Sequence, residues 1–274
     1  MAVKTMHARL KRLIGLGFRM LPGKLRDIVR LNYYASVLEA FQESQWPPAP
    51  GVRKLIGEGA RVVDVGANVG YVSRLLSQYV GASGAVYSLE PIPDTYKVLS
   101  GLVRRCRFSN IHPICAAASS CNQEGFMEVP DYPDGGKNYY ESRILSADKE
   151  GGAPAKMVVR MGRLDDLLPA EAAPIALIKI DAEGHELHVV QGARNILRRD
   201  RPALVIEVEG QPDDPVGSAG RLFSLMREAG YEVFLFTAGA FQLRRTGDLA
   251  VDYFFLPQGH PARLSMGEKP GSTH

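Results

Sequence analysis

Ten residues, Arg61-Val-Val-Asp-Val-Gly-Ala-Asn-Val-Gly70, constrain this chain more than any other stretch. Val62, Val63 and Val65 form a β-branched run that glycines 66 and 70 interrupt. Val69, Val72, Leu75, Leu76 and Tyr79 then recur at helical spacing. A strand, a tight glycine turn and a helix N-terminus in that order point backbone N–H groups at a ligand. The residues argue against both phosphate-binding versions of the unit. No Gly-Lys-Ser/Thr follows the turn, as a P-loop requires, and Asp64-x-Gly66-x-Asn68-x-Gly70 is not G-x-G-x-x-G. Asp64 also places a carboxylate where a pyrophosphate needs positive neighbours, and no Lys or Arg lies between Arg61 and Arg74.

A carboxylate in that turn suits a ligand carrying a cation or an ammonium group. S-adenosylmethionine has both and no phosphate. Residues 85–90 read as the next strand, ending in Glu90, twenty residues after Gly70. An acid there takes the two ribose hydroxyls in a βαβ nucleoside site. The turn and the strand-end acid together resemble the class I S-adenosylmethionine-dependent methyltransferases. That resemblance implies Asp64, Gly66, Asn68 and Gly70 around the methionine part of the cofactor and Glu90 on its ribose.

A chain of 274 residues is long enough for a full core. Cys106, Cys115 and Cys121 are odd in number, form no C-x-x-C pair and lack zinc-site spacing. They favour a reducing, cytoplasmic setting over a disulfide framework. No run approaches the ~20 apolar residues of a membrane span. Charge is uneven: residues 1–30 carry eight Lys/Arg against Asp27, a net +7, and the overall +3 leaves −4 for residues 31–274.

Val3, Met6, Leu10, Leu13 and Leu16 or Gly17 suggest a basic amphipathic helix over 3–20. Such a helix is either solvated and packed on its own domain, or held peripherally on an anionic membrane or a partner. A second helix is expected over 25–41, and Trp46-Pro-Pro-Ala-Pro50 is read as a stop and hinge. These segments make residues 1–50 a basic helical arm or cap, expected over the cofactor cleft. The resemblance implies a methyltransferase domain over residues 51–260, and 261–274 is expected to be a loose tail. Asp94 is expected to cap a helix, and 111–115 to be a third strand. Within 122–161, stretches 125–129, 143–145 and 156–159 read as short strands around a turn-rich loop at 131–138, a β-rich insertion suited to substrate contacts or to a bare hairpin.

Residues 175–181 are nearly continuously apolar, as a strand covered on both faces should be. Further strands at 203–209, 231–236 and 251–256 alternate with helices. The expected fold is α/β: a doubly wound, mostly parallel, seven-stranded Rossmann-like sheet. Its strand ends would gather Asp64, Glu90, Asp181, Glu207 and Glu209 on one rim. Lys179 and Asp181 share a strand face. A lysine in such a strand is costly unless paired, so it either pairs with a neighbouring acid or serves as, or orients, a base. Asp181, Glu183, His185 and Glu207 are candidates to take a proton from an alcohol. The acids could instead hold a divalent ion; nothing fixes a ligand count, and no metal site is assigned.

Ile178-Lys-Ile-Asp-Ala-Glu-Gly-His-Glu-Leu187, followed by Val190-Gln-Gly-Ala193 and preceded by Arg163-Leu-Asp-Asp-Leu-Leu168, resembles the signature of the FkbM-type methyltransferases. The resemblance covers residues 58–210. It implies an S-adenosylmethionine-dependent O-methyltransferase acting on a hydroxyl of a natural product, sugar or glycolipid, with the reaction rim at Lys179, Asp181 and Glu183. Three other readings fit the chain less well. A non-catalytic docking module has no need of Asp64, Gly66, Gly70 and Glu90. An NAD-dependent oxidoreductase conflicts with the turn. Nucleic acid is not an expected partner, because the body is acidic and carries no Asn-Pro-Pro-Tyr-type tetrapeptide.

Overall fold

The computed structural model describes residues 22–129, 143–144 and 156–261, which fall into two compact units, 1–40 and 41–274. The described part of the first unit is a single helix, α1 (Gly23–Ala40), close to the helix expected over 25–41. The helix expected over 3–20, the loop at 131–138 and the tail beyond 261 lie outside the described residues.

After a short 3-10 turn (Glu43–Gln45), the second unit forms α2 (Ala49–Leu55), which starts within the proline run instead of ending at it. Pro48 stands at its N-terminus, where a missing N–H leaves no helical bond unmade. The run therefore starts a helix and is not a hinge, and Trp46 is buried beside it. The βα units follow: β1 (Arg61–Val65), α3 (Tyr71–Val80), β2 (Ala85–Leu89), α4 (Pro93–Arg105) and β3 (Ile111–Ile114). Helix α4 begins at Pro93, so Asp94 sits in its first turn and complements the dipole there instead of capping it.

A small sheet comes next: β4 (Ala117–Ala118), β5 (Gln123–Glu128), β6 (Arg143–Ile144) and β7 (Lys156–Gly162), in the order β4-β7-β5-β6. β5, β6 and β7 stand where short strands are expected at 125–129, 143–145 and 156–159, and β4 is additional. The chain returns through α5 (Leu164–Leu167), β8 (Leu177–Ile180), α6 (Glu186–Gln191), α7 (Arg194–Arg199), β9 (Ala203–Glu207) and α8 (Ser218–Glu228). It ends with β10 (Tyr231–Thr237), β11 (Ala240–Leu243) and β12 (Asp252–Pro257).

The large sheet runs β11-β10-β12-β9-β8-β1-β2-β3. Strands β9, β8, β1, β2 and β3 are parallel, and β12, β10 and β11 join antiparallel. Eight strands replace the seven expected. The extra one, β11, pairs with β10 through a two-residue turn, Ala238 (φ +51) and Gly239 (φ +80), the two positive dihedrals that a tight hairpin turn requires.

Period-two alternation gives the sheet two covered faces. Val62, Val86 and Leu177 pack with Val52, Leu75, Leu76 and Val80 on one side. Val63, Val65, Ile178 and Ile180 pack with Leu187, Val190, Ile196, Leu222 and Phe223 on the other. The doubly wound arrangement is thus a direct consequence of strands apolar on both faces. Among the described residues no helix is long and apolar enough to cross a membrane.

Candidate functional site

The strand order reverses between β8 and β1, and a cleft of about 240 Å³ opens at the carboxyl ends of β1, β2 and β8, where open α/β sheets bind ligands. Gly66, Asn68, Glu90, Lys179, Asp181 and Glu183 reach its wall, and Ala117, Ala118, Met127 and Ile144 of the small sheet close the other side. Most of the residues named from the sequence are therefore brought together. Asp64, Gly70 and His185 are not on the wall.

The turn after β1 is shaped by backbone requirements. Gly66 (φ +76) donates its N–H to Leu89 O at 3.1 Å, and a Cβ built on it would stand 1.9 Å from Asp181 O. Only glycine lets β1 and the turn after β8 approach so closely. Gly70 (φ +97) starts α3, and a Cβ there would meet Leu99 at 2.7 Å. Asn68 (φ +51) adopts the left-handed region that Asn tolerates, and its Oδ1 accepts the N–H of Val69 at 2.8 Å.

Glu90 is buried at the end of β2 with a carboxylate oriented by two backbone donors, Asn68 N–H at 3.0 Å and Ile92 N–H at 2.9 Å. Burial pushes its carboxyl up to about 7, against those two donors and the Lys179 charge.

Asp64 is fully buried behind the cleft instead of facing it. Its Oδ2 accepts the Ser73 hydroxyl at 2.6 Å, and Ser88 donates to Ser73 at 2.8 Å. Its Oδ1 lies 3.4 Å from Lys179 Nζ. Lys179 sits beside it in register, bonded to Val65 O at 3.2 Å and Gly66 O at 3.4 Å, and 3.4 Å from Asp181. Burial disfavours the ammonium, but Asp181 and Asp64 outweigh it and hold Lys179 above its ordinary pKa. A lysine placed between two carboxylates and two backbone carbonyls is suited to orienting them and poorly suited to serving as a base. Asp64 was expected against the cofactor; its carboxylate is instead engaged by Ser73 and Lys179. Neither Ser73 nor Ser88 stands out in the sequence, although Ser73 falls on the buried stripe of α3 with Leu76 and Val80, a placement that signals a polar partner below.

The turn after β8 is tight: Glu183 (φ +51) and Gly184 (φ +92) carry it, and the Glu186 carboxylate accepts from Gly184 N–H at 2.8 Å and Ala182 N–H at 3.3 Å. Glu207 ends β9 next to Asp252 of β12. Burial first, then the Asp181 charge, raises Glu207 to about 7. Burial likewise lifts Asp252 to about 6, with Lys179 opposing and Asp181 adding. His185 Nε2 lies 2.9 Å from Ser119 Oγ, and its ring stacks on His188 at 4.3 Å. Burial, helped by His188, pushes His185 down to about 4. A histidine so engaged and so weakly basic is unsuited to the proton acceptor role considered for it. Among the described residues no group of three His, Cys, Asp or Glu is arranged to hold a metal.

The cleft fits a ligand of the S-adenosylmethionine type. Among the described residues on its wall, the one lysine is committed to carboxylates, Leu89, Pro91, Ile92 and Ala116 give an apolar lining, and acids stand at Glu90, Asp181 and Glu183.

The chain is similar to several known methyltransferases. Methyltransferase sdnD of Sordaria araneosa is 27% identical over 195 residues, covering 63% of this chain and 73% of its own. A protein-L-isoaspartate O-methyltransferase of Methanococcus aeolicus is 23% identical over 198 residues, covering 65% of this chain and 90% of that one. Among solved structures, methyltransferase FkbM from Methylobacillus flagellatus aligns at 18% identity and a TM-score of 0.48, over 74% of this chain and 44% of that one. The model of the methyltransferase FkbM domain matches residues 64–233, from the buried acid of β1 into β10. The chain belongs to the FkbM family of S-adenosylmethionine-dependent methyltransferases.

Proposed function

We propose that this chain is an O-methyltransferase that moves a methyl group to a hydroxyl of a small natural product, sugar or glycolipid in the cleft between β1, β2, β8 and the small sheet. The observation that carries the reading is Glu90, a buried carboxylate on the cleft wall with both oxygens set by backbone N–H groups. Held in this way it can accept two ribose hydroxyls, the role of the acid at this position in a βαβ nucleoside site.

When bound, S-adenosylmethionine supplies an electrophilic methyl on a sulfonium. Gly66 and Asn68 line the cleft where the backbone can approach the methionine part. Asp64 works from behind through Lys179 and Ser73, shaping the turn. Transfer to an alcohol is an in-line displacement, so the acceptor oxygen must be held close and aligned, and its proton must leave. Asp181 is the group in reach of the cleft that can take that proton, with its carboxylate oriented by Lys179 at 3.4 Å. Glu207 and Asp252, raised to about 7 and about 6, can share the proton near neutral pH. Glu183 lines the same edge and would contact the acceptor. The +7 carried by residues 1–30 would favour an acceptor at an anionic membrane surface.

Calorimetric titration with S-adenosylmethionine, repeated with magnesium, tests the reading. Saturable binding without magnesium supports it, whereas binding that requires magnesium moves the acidic rim into a metal role. Screening of hydroxylated acceptors by release of S-adenosylhomocysteine follows, and methylation confined to nitrogen, carbon or carboxylate acceptors would overturn the hydroxyl assignment.

A further inference from the structure

We infer that His185 is a positioning residue: through Ser119 it seats the small sheet on the segment that follows the reaction rim, and so sets the width of the cleft. Ser119 is buried directly after β4, whose Ala117 and Ala118 line the cleft. Three contacts hold it. Its N–H donates to Gly162 O at 2.8 Å, which ties β4 to the end of β7. Its Oγ is 2.9 Å from His185 Nε2. Its carbonyl lies so close to Gly192 that a Cβ there would stand 1.9 Å from the oxygen.

His185 and Gly192 flank the two ends of α6, so the serine is gripped by both ends of one short helix. Gly192 has φ −84, a conformation open to any residue, so its requirement is space. The same junction takes Asp165. Its N–H donates to Gly192 O at 3.1 Å, while its carboxylate accepts from Asn195 N–H and Ile196 N–H, both at 3.1 Å, at the start of α7. Three residues of the stretches that resemble the family signature, Asp165, His185 and Gly192, thus hold one joint.

The joint leads to the chemistry through the turn after β8. Glu186 fixes Ala182 and Gly184 from one side, and His185 fixes the end of the turn against the small sheet from the other. Asp181 and Glu183 are carried between these anchors, opposite Ala117 and Ala118. The stack on His188, with an interplanar angle of 12°, holds the imidazole plane so that Nε2 faces Ser119. The role assigned to the rim rests on the methyl-transfer reading; the joint itself does not.

Amide hydrogen exchange on the full chain tests this, with His185→Phe, His185→Gln and Ser119→Ala beside the wild type. Phenylalanine keeps the stack and loses the hydrogen bond, whereas glutamine returns a polar group near the Nε2 position. Loss of one buried hydrogen bond should speed exchange across residues 117–128 about tenfold in His185→Phe and Ser119→Ala. β1 and β9 should stay within about twofold, and His185→Gln should restore the wild-type pattern. Unchanged exchange at 117–128, an equal rise in β1 and β9, or failure of glutamine to rescue would each overturn the inference. Titration of the wild type with S-adenosylmethionine is run alongside. Lack of binding there removes the functional reading and leaves the exchange result to judge the joint alone.

Discussion

Replacing Lys179 by methionine keeps the length of the side chain and removes its charge, leaving Asp64 buried without a cation. Asp64 and Lys179 are 3.4 Å apart, a separation worth about 5 kcal/mol at an effective dielectric of ~20. Part of that attraction is offset in the native protein by taking both groups out of water. Breaking such a pair by removing one partner costs about 3–5 kcal/mol, because the remaining charge stays buried. For a domain of this size that is a fall in Tm on the order of 10 °C. Asp64→Asn/Lys179→Met should be more stable than Lys179→Met alone, since the orphaned charge is then gone. The pH dependence has a defined sign. Burial raises Asp64, and without Lys179 little opposes that rise except the Ser73 hydroxyl. A carboxyl raised in the folded state carries no penalty below its unfolded pKa, and the penalty grows as pH climbs toward the folded value. The deficit of Lys179→Met should therefore shrink on acidification from pH 8 toward pH 5. Urea unfolding followed by the fluorescence of Trp46, the single and buried tryptophan, reads it directly. A variant within about 1 kcal/mol of wild type at pH 8, or a deficit that widens in acid, would refute the pairing argument, because a buried pair broken on one side should cost several times that.

Gly66→Ala should lose measurable S-adenosylmethionine binding and at least ~2 kcal/mol of stability, since the new Cβ meets Asp181 O at 1.9 Å in a positive-φ residue; wild-type calorimetry and melting would contradict this. Glu90→Gln should weaken cofactor binding about tenfold at pH 8. Wild-type affinity should fall as pH drops through about 7, where Glu90 gains its proton, and the variant should be flat across that range. Asp181→Asn should lower turnover about 100-fold or more, the usual scale for loss of a general base, with cofactor Kd within about threefold. Release of S-adenosylhomocysteine in the presence of acceptor measures it, and full activity would place the proton acceptor elsewhere.

Much of this site is legible in the chain alone. Strands apolar on both faces announce a buried parallel sheet, and acids at their ends have few places to go but the carboxyl rim, so Glu90, Lys179, Asp181 and Glu183 were found as cleft residues. What escaped has physical reasons. Strand β11 alternates weakly, is mostly exposed and turns through Ala238-Gly239, without the Asn-Gly or Asp-Gly that marks such a hairpin. Strand β4 is two residues long, too short for any period. Asp64 looked like a ligand group because a turn acid is visible in sequence and its partners are not. Ser73 is nine residues away on a helix, and Lys179 lies on β8, seven strands later in the chain, adjacent only once β1 and β8 pair. His185 has the same history: its partner Ser119 comes 66 residues earlier.

The most direct test of the account is titration of the purified chain with S-adenosylmethionine and, separately, with NAD. Saturable one-to-one binding of S-adenosylmethionine, weakened in Glu90→Gln and absent in Gly66→Ala, is the expected result. Binding of NAD in its place, or binding of neither, would contradict it.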